Sequence, residues 1–217
     1  MLNIILMGPP GAGKGTHAKW IAKDFSIPHI STGDMFREAM SSGSELGNTI
    51  KDVINRGDLV SDELTIALVK ERLSRDDCAN GYLLDGFPRT IPQAEAWEKV
   101  SKEIHREVNL VINIGAPDEL LIERIGGRRV CPQCGASYNV NSMKPKKEGI
   151  CDECGNDLIQ RKDDNEESFK VRLTNYYKST APLLEFYKEK GLLSDFDGSV
   201  GAEVLKKDLL DLLKAHK

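Results

Sequence analysis

The chain has 217 residues, enough for one domain with room for insertions, and 40% hydrophobic with 29% charged residues is a globular balance, not a disordered one. A formal net charge of −4 disfavours a general nucleic-acid binder, whose surface is usually basic. No apolar run approaches the ~20 residues of a membrane span, and the first one, LNIILMG, lacks a basic leader and a small-residue cleavage site. A reducing cytoplasm is the expected home, where paired cysteines are more often metal ligands than disulfides.

In chain order, Asn3–Gly8 reads as a buried strand running into GPPGAGKGT, Gly8 to Thr16, and KGTHAKWIAKDF continues as a helix. A short strand at Pro28–Ser31 follows. The stretch from Ser31 to about Val60 is helical throughout, with no strand of its own. SDELTIALVKERLSR sets Leu64, Leu68 and Leu73 on a helical face, with Ser61 as N-cap and acids in the first turn. Strands at Gly81–Phe87 and Asn109–Gly115 come next, and PDELLIERI opens with Pro117 where a helix accepts proline. Residues 127–164 are rich in Cys, Asn, Lys and Gly. A strand at Leu192–Gly198 precedes a last helix, Glu203 to Ala215, with Val204, Leu205, Leu209, Leu212 and Leu213 on one face. Strands alternating with helices predict a doubly wound α/β fold around a parallel sheet. Residues 31–60 and 127–164 break the alternation and read as inserts at the C-terminal edge of the sheet, where open α/β sheets bind ligands.

GPPGAGKGT nearly fits G-x-x-x-x-G-K-[ST], with Gly8, Gly13 and Lys14 in register. The hydroxyl comes one residue late, because Gly15 follows Lys14 and Thr16 follows that. Such a loop turns backbone N–H groups toward one anion, the helix N-terminus adds partial positive charge, and Lys14 can reach the β- and γ-phosphates. The plain alternative is a glycine-rich turn without a ligand. In GFPRT, Arg89 follows a buried strand by two turn-forming residues, which aims it at the ligand crevice. Asp85 ends the same strand and suits a magnesium ion held through its water shell, or a buried cap of the next turn. Arg75 and Arg106 read as surface charges, and Lys144 to Lys147 as a solvated loop.

Cys131, Cys134, Cys151 and Cys154 form C-x2-C-x16-C-x2-C. Two pairs at this spacing predict a structural zinc site with four thiolates and no open position; redox-active cysteines are the alternative, and iron fits the same sulfurs in vitro. Residues 127–164 are too few and too polar to hold themselves rigid by burial, whereas structural zinc supplies ~10–16 kcal/mol of folding energy. The insert can then swing as a rigid lid that excludes water, with Gly126 and Gly127 as hinge candidates. Cys78 stands alone and reads as a small buried apolar residue.

The strings STGDMFREAM, LVSDELT, YLLDGFPRTIPQAEA, GRRVC and QRKDDNEESFKVRL stand in this order from Ser31 to Leu173. Together with GPPGAGKGT the chain resembles, over essentially its whole length, the adenylate kinases, nucleoside monophosphate kinases that interconvert ATP, AMP and ADP. The resemblance implies a P-loop NTPase-type five-stranded core of residues 1–30, 61–126 and 165–217. It implies a helical AMP-binding insert at 31–60 and a zinc-bearing lid at 127–164, as in members from Gram-positive bacteria.

By the same resemblance ATP meets Gly11, Ala12, Gly13, Lys14, Gly15 and Thr16 of the loop. It also meets Arg128, Ser137, Tyr138 and Val200, with Tyr138 able to pack on the adenine. AMP meets Thr32, Arg37, Asp58, Leu59, Val60, Gly86, Phe87, Pro88, Arg89 and Gln93. Arg161 and Arg172 clamp the transferring group, and Lys14, Asp85, Arg89 and Arg128 join them in catalysis; Arg124 is a further, weaker candidate. Gln93 can match the donor–acceptor pair of adenine, or it faces solvent; Thr32 reads the base, or is a helix N-cap. UMP/CMP kinases, similar overall, usually carry another residue at the threonine position. Magnesium with ATP, a monomer, and no nucleic-acid or membrane partner complete the expectation.

A zinc-ribbon, nucleic-acid-dependent ATPase is the rival from another class. Against it, residues 127–164 hold seven Lys/Arg and six Asp/Glu with Tyr138 as their only aromatic, unlike the positive, aromatic-lined grooves of strand binders. A GTPase would need a guanine-reading NKxD, which is absent.

Overall fold

The computed structural model describes residues 1–41 and 45–216. Its sheet has five parallel strands, β1 (Leu2–Met7), β2 (His29–Ser31), β3 (Gly81–Asp85), β4 (Leu110–Gly115) and β7 (Leu193–Asp197), in the order β2-β3-β1-β4-β7. β1 lies between β3 and β4, with Ile4 opposite Leu83 and Leu110. All six of its residues are buried, which is why LNIILM reads as a continuous apolar run without alternation.

The pleat sends alternate residues to opposite faces. Ile4, Leu6 and Ile112 pack with Ala18 and Ile21 of α1 (Lys14–Phe25), Leu121 of α6 (Asp118–Gly127), Phe169 of α7 (Glu166–Asn175) and Leu205, Leu209 and Leu213 of α9 (Ala202–Ala215). Ile5, Met7 and Val111 pack with Val69 and Leu73 of α4 (Asp62–Leu73), Trp97 of α5 (Ile91–Glu103) and Leu183 of α8 (Pro182–Glu189). Helices thus cover both faces, the doubly wound arrangement that the alternation predicted.

Two helical faces differ from expectation. The buried stripe of α4 is Thr65, Val69 and Leu73, one residue round from Leu64 and Leu68. Burial of Thr65 is tolerated because its hydroxyl donates to the Ser61 carbonyl at 2.8 Å. On α9, Val204 is 54% exposed while Leu205, Leu209 and Leu213 are buried. Arg106, read as a surface charge, is half-buried, and the Tyr82 hydroxyl donates to its carbonyl at 2.6 Å.

After β2 the chain forms α2 (Thr32–Ser41) and α3 (Glu45–Arg56), and positions 42–44 of the expected 31–60 insert lie outside the described residues. After α6 comes an antiparallel pair that periodicity missed, β5 (Arg128–Val130) and β6 (Ser137–Asn139), whose three-residue strands are too short to leave a period-2 signal. The small core of this region is Cys131, Ala136, Tyr138 and Cys151, with Leu158 against it. A single turn of π-helix, Tyr176–Thr180, joins α7 to α8. Among the described residues no helix is long and apolar enough to cross a membrane.

Candidate active site and metal centre

Parallel pairing brings the C-terminal ends of β1, β2 and β3 to one edge, so the segments after Met7, Ser31 and Asp85 converge. Gly8, Gly11 and Gly13 all have positive φ, and the loop folds over Lys14, whose Nζ donates to the carbonyls of Gly8 (2.8 Å) and Pro9 (2.9 Å). Burial lowers the Lys14 pKa to about 8; Asp85 opposes that fall, while Arg89, Arg172 and Arg128 add to it. A cation so disfavoured is poised for an anion.

Asp85 lies beside the first turn of α1: a Cβ on Gly15 would sit 3.9 Å from its Oδ2. Its other neighbour, missed in the sequence, is His29, with Nε2 3.4 Å from Oδ2. Burial works to raise the Asp85 pKa, but the His29 contact and the charges of Lys14 and Arg89 outweigh it and keep the carboxylate ionised.

Five arginines crowd this edge. Arg89 donates from Nε to the Gly86 carbonyl at 2.8 Å, and its own carbonyl accepts from Thr180 Oγ1 at 2.8 Å. Arg172 meets Asp163 at 3.0 Å and Asp164 at 3.6 Å. Arg128 donates to both Asp164 oxygens, with Nε at 2.8 Å. Arg37 donates from Nε to Asp34 at 3.2 Å, and Arg161 lies 4.0 Å from the same carboxylate. Burial and then neighbouring guanidinium charges bring Arg161 down to about 10; Arg172 falls to about 10 through burial first, with Arg128 and Arg89 adding to it against Asp163 and Asp164. The three aspartates stand inside the quoted strings STGDMFR and RKDDN, yet their sequence gave no sign that they would hold the arginines.

A cavity of about 90 Å³ opens among Gly8, Lys14, Gly86, Arg89 and Arg172, backed by Met7, Phe87, Pro88, Leu59 and Tyr176. A second, about 10 Å³, is lined by Thr32, Phe36, Leu59, Val60, Thr65, Gly86, Arg89 and Gln93. The two meet at Gly86 (φ 81), where a Cβ would lie 2.9 Å from both Thr32 Oγ1 and Arg89 Nη2. Gln93 is 2% exposed, so it does not face solvent. Its Oε1 accepts from the Arg89 N–H at 2.7 Å, and its Nε2 donates to Asp62, another unforeseen residue, at 2.7 Å. Thr32 is not the N-cap of α2: its hydroxyl donates to the Gly86 carbonyl at 2.8 Å, and Ser31 Oγ accepts from the Asp34 N–H instead. Phe87 is core, edge-on to Trp97, which leaves its backbone to the site. Asp58 is paired outward with Arg56 at 3.0 Å.

Away from the arginines, the four Sγ atoms of Cys131, Cys134, Cys151 and Cys154 lie within 4.8 Å of one another. Cys131 and Cys154 are 3.3 Å apart and Cys134 and Cys151 3.5 Å. A tetrahedral zinc with Zn–S bonds of ~2.3 Å spaces its sulfurs by ~3.8 Å, so the donor set and its size fit. Burial works to raise the Cys151 thiol, but the Tyr138 hydroxyl and the backbone N–H groups of Cys154 and Glu153 bring it down to about 6. Cys134 goes the other way: the Ala136 N–H favours its thiolate, yet burial and the adjacent sulfurs push it up to about 12. Four sulfurs at this spacing could hold one metal ion.

Tyr138 does not offer its ring to an adenine. It is 8% exposed inside the small core of residues 131–158, and its hydroxyl sits 3.6 Å from Cys151 Sγ and accepts from the Asp152 N–H at 2.8 Å; its backbone and half-buried Ser137 remain for a nucleotide. Val200 is half-buried in a loop whose Gly198 N–H donates to the Gly115 carbonyl at 2.6 Å and whose Gly198 carbonyl accepts from Arg124 at 2.9 Å. That loop borders Ala12 but not the 90 Å³ cavity. Gly126 and Gly127 close α6; a Cβ on Gly126 would meet nothing, and one on Gly127 would strike the Asn139 amide at 2.9 Å. The lid touches the core through an unforeseen bond, Lys19 Nζ to the Cys134 carbonyl at 3.3 Å.

Residues 6–192 match the family model described as adenylate kinase. The chain belongs to the adenylate kinase family. It is 51% identical over 212 residues to the adenylate kinase of Geobacillus sp. (strain WCH70), covering 98% of each chain. It is 54% identical over 192 residues to that of Caldicellulosiruptor bescii, covering 88% of this chain and 89% of the relative. Against the Staphylococcus aureus (strain Mu50) enzyme it is 52% identical over 212 residues, 98% of this chain and 99% of the other. Membership makes it a nucleoside monophosphate kinase, a phosphotransferase.

Proposed function

We propose that this chain transfers the terminal phosphoryl group of magnesium-ATP to AMP, giving two ADP, and that it works as a cytoplasmic monomer. The observation that carries the reading is the pair of adjoining cavities. One is walled by Lys14, Arg89 and Arg172; the other is a slot between Thr32 and Gln93, and both share Gly86 and Arg89. A phosphate in the first and a base in the second belong to one nucleotide, with Arg89 at the junction. The slot has room for about one water, so a base enters only as the wall of Phe36, Leu59 and Val60 moves outward.

Phosphoryl transfer asks the protein for alignment, charge neutralisation and exclusion of water. In this reading Gly11, Ala12, Gly13, Gly15 and Thr16 cradle the donor phosphates with Lys14. Arg128, Arg161 and Arg172 close on the transferring group, while Arg37 and Arg89 hold the acceptor phosphate. The depressed pKa values of Arg89, Arg161 and Arg172, each caused first by burial, support this, since buried guanidinium groups gain most from a polyanion. Gln93 keeps one N–H and one lone pair beyond its bonds to Asp62 and Arg89, the pair that adenine complements. Magnesium would be held by Asp85 through water and would neutralise charge on the phosphates. The four cysteines would hold a structural zinc.

ADP formation from magnesium-ATP with AMP, CMP, UMP or GMP tests the reading. Rapid turnover with AMP alone is expected. Preference for CMP or UMP would overturn the base assignment, and no turnover with any of the four would overturn the reaction.

A further inference from the structure

Tyr138 has lost the adenine but not a task. Its oxygen accepts the Asp152 N–H at 2.8 Å, and a backbone amide can only donate. The phenol is left with one proton, and Cys151 Sγ, 3.6 Å from its oxygen, is in place to receive it. A thiolate can only accept, so the direction is fixed once Cys151 binds a cation. Asp152 is itself held, its Oδ1 accepting from the Lys146 N–H at 2.9 Å. Tyr138 lies on β6, the strand that follows the turn of Cys131 and Cys134, whereas Cys151 opens the other C-x-x-C turn. The hydroxyl therefore ties the two halves of the metal centre together.

Resting on the zinc reading above, we propose that Tyr138 is a positioning residue of the metal centre. Its O–H···S bond holds the Cys151 thiolate in place and withdraws charge from it, which slows loss of the metal. Outer partners of metal ligands are worth ~10–100-fold in metal affinity. The bond adds nothing to phosphoryl transfer itself.

The test is Y138F, which keeps the ring in the lid core and removes only the hydroxyl. Zinc transfer from the loaded protein to a colorimetric chelator is expected to be about tenfold faster or more. In the cobalt(II)-substituted protein the sulfur-to-cobalt charge-transfer band is expected to move to longer wavelength, because a thiolate that loses a hydrogen bond gives up its electron more easily. A purely packing role would not move that band. Wild type that holds zinc, with Y138F releasing it at the same rate and an unmoved band, overturns this inference alone. Wild type that holds no metal overturns the zinc reading and this inference with it. If Y138F does not fold, 113Cd NMR of the wild type decides: a Tyr138 hydroxyl proton coupled to cadmium supports the bond, and one exchanging at the bulk-water rate refutes it.

Discussion

Replacing both Cys131 and Cys151 by serine removes the two buried thiols of the cysteine cluster, one from each turn. What then holds the lid is its own core, which is small: Cys131, Ala136, Tyr138 and Cys151, with half-buried Leu158. At ~25 cal/mol per Å² of apolar surface, one tyrosine, one alanine and part of a leucine yield ~5 kcal/mol. The structural zinc proposed above would supply ~10–16 kcal/mol, the larger part of what would favour an ordered lid. If only ~4 kcal/mol of the loss reaches the whole molecule, the melting temperature falls by ~10 °C for a chain of this length.

Turnover at 20 °C is expected to fall less than tenfold, because the lid's two roots do not depend on metal. Arg128 at one root grips Asp164 at the other, and Arg172 of α7 grips Asp163. Calorimetry, hydrogen exchange across residues 131–159 and AMP turnover check the three parts. Fast exchange confined to the lid with turnover retained is the expected result. Turnover abolished in a protein whose core still melts cooperatively would refute the separation of metal from chemistry.

Three further predictions concern the arginine edge, the loop lysine and the lid contact. Arg89→Ala is expected to lower kcat by ~10²–10³. Arg89→Lys should recover little of it, since an ammonium cannot both bond the Gly86 carbonyl and fork onto a phosphate; recovery to near wild type would show that charge alone suffices. Lys14, at about 8 without ligand, regains its proton when a polyanion arrives. Nucleotide binding should therefore take up a proton at pH 8–9, and affinity should fall as pH rises through about 8. Calorimetry in buffers of different ionisation enthalpy reads this, and proton release would contradict it. Lys19→Ala removes the exposed bond to the Cys134 carbonyl. A bond worth ~0.5–1.5 kcal/mol shifts the lid toward open by about two- to tenfold; fluorescence transfer between lid and core checks it, and an unchanged distance distribution would count against the contact.

The fold was legible because its signals are local. A continuous apolar run such as LNIILM cannot face water on either side, and Gly8, Gly13 and Lys14 sit in register on the strand–helix junction that a phosphate loop requires. The cysteine spacing foretold a cluster because C-x-x-C turns put both sulfurs on one side of a tight bend. Partners were not legible. That Asp34, Asp163 and Asp164 hold the arginines, or that His29 stands against Asp85, depends on which strands pair and how the lid settles. Periodicity carries no information about either. Tyr138 failed for the same reason: an aromatic near a nucleotide site reads as a stacking platform until the sulfur beside its hydroxyl is seen.

On the zinc reading proposed above, a metal clip in a phosphate-handling enzyme makes physical sense as a division between bonds that must break and bonds that must not. At the lid's roots, carboxylates occupy the guanidinium groups that phosphates would claim: Asp164 on Arg128, Asp163 on Arg172, Asp34 between Arg37 and Arg161. These pairs are exchangeable by design of charge, because a polyanion competes for the same donors with more negative charge than one aspartate offers. A lid held only by such pairs would loosen whenever nucleotide arrived or left. Thiolates on a metal do not exchange with phosphate, since soft sulfur and hard oxygen seek different cations. Putting the lid's internal order on metal-bound sulfur and its closing on arginine, as proposed, would let one change in every turnover while the other stays fixed.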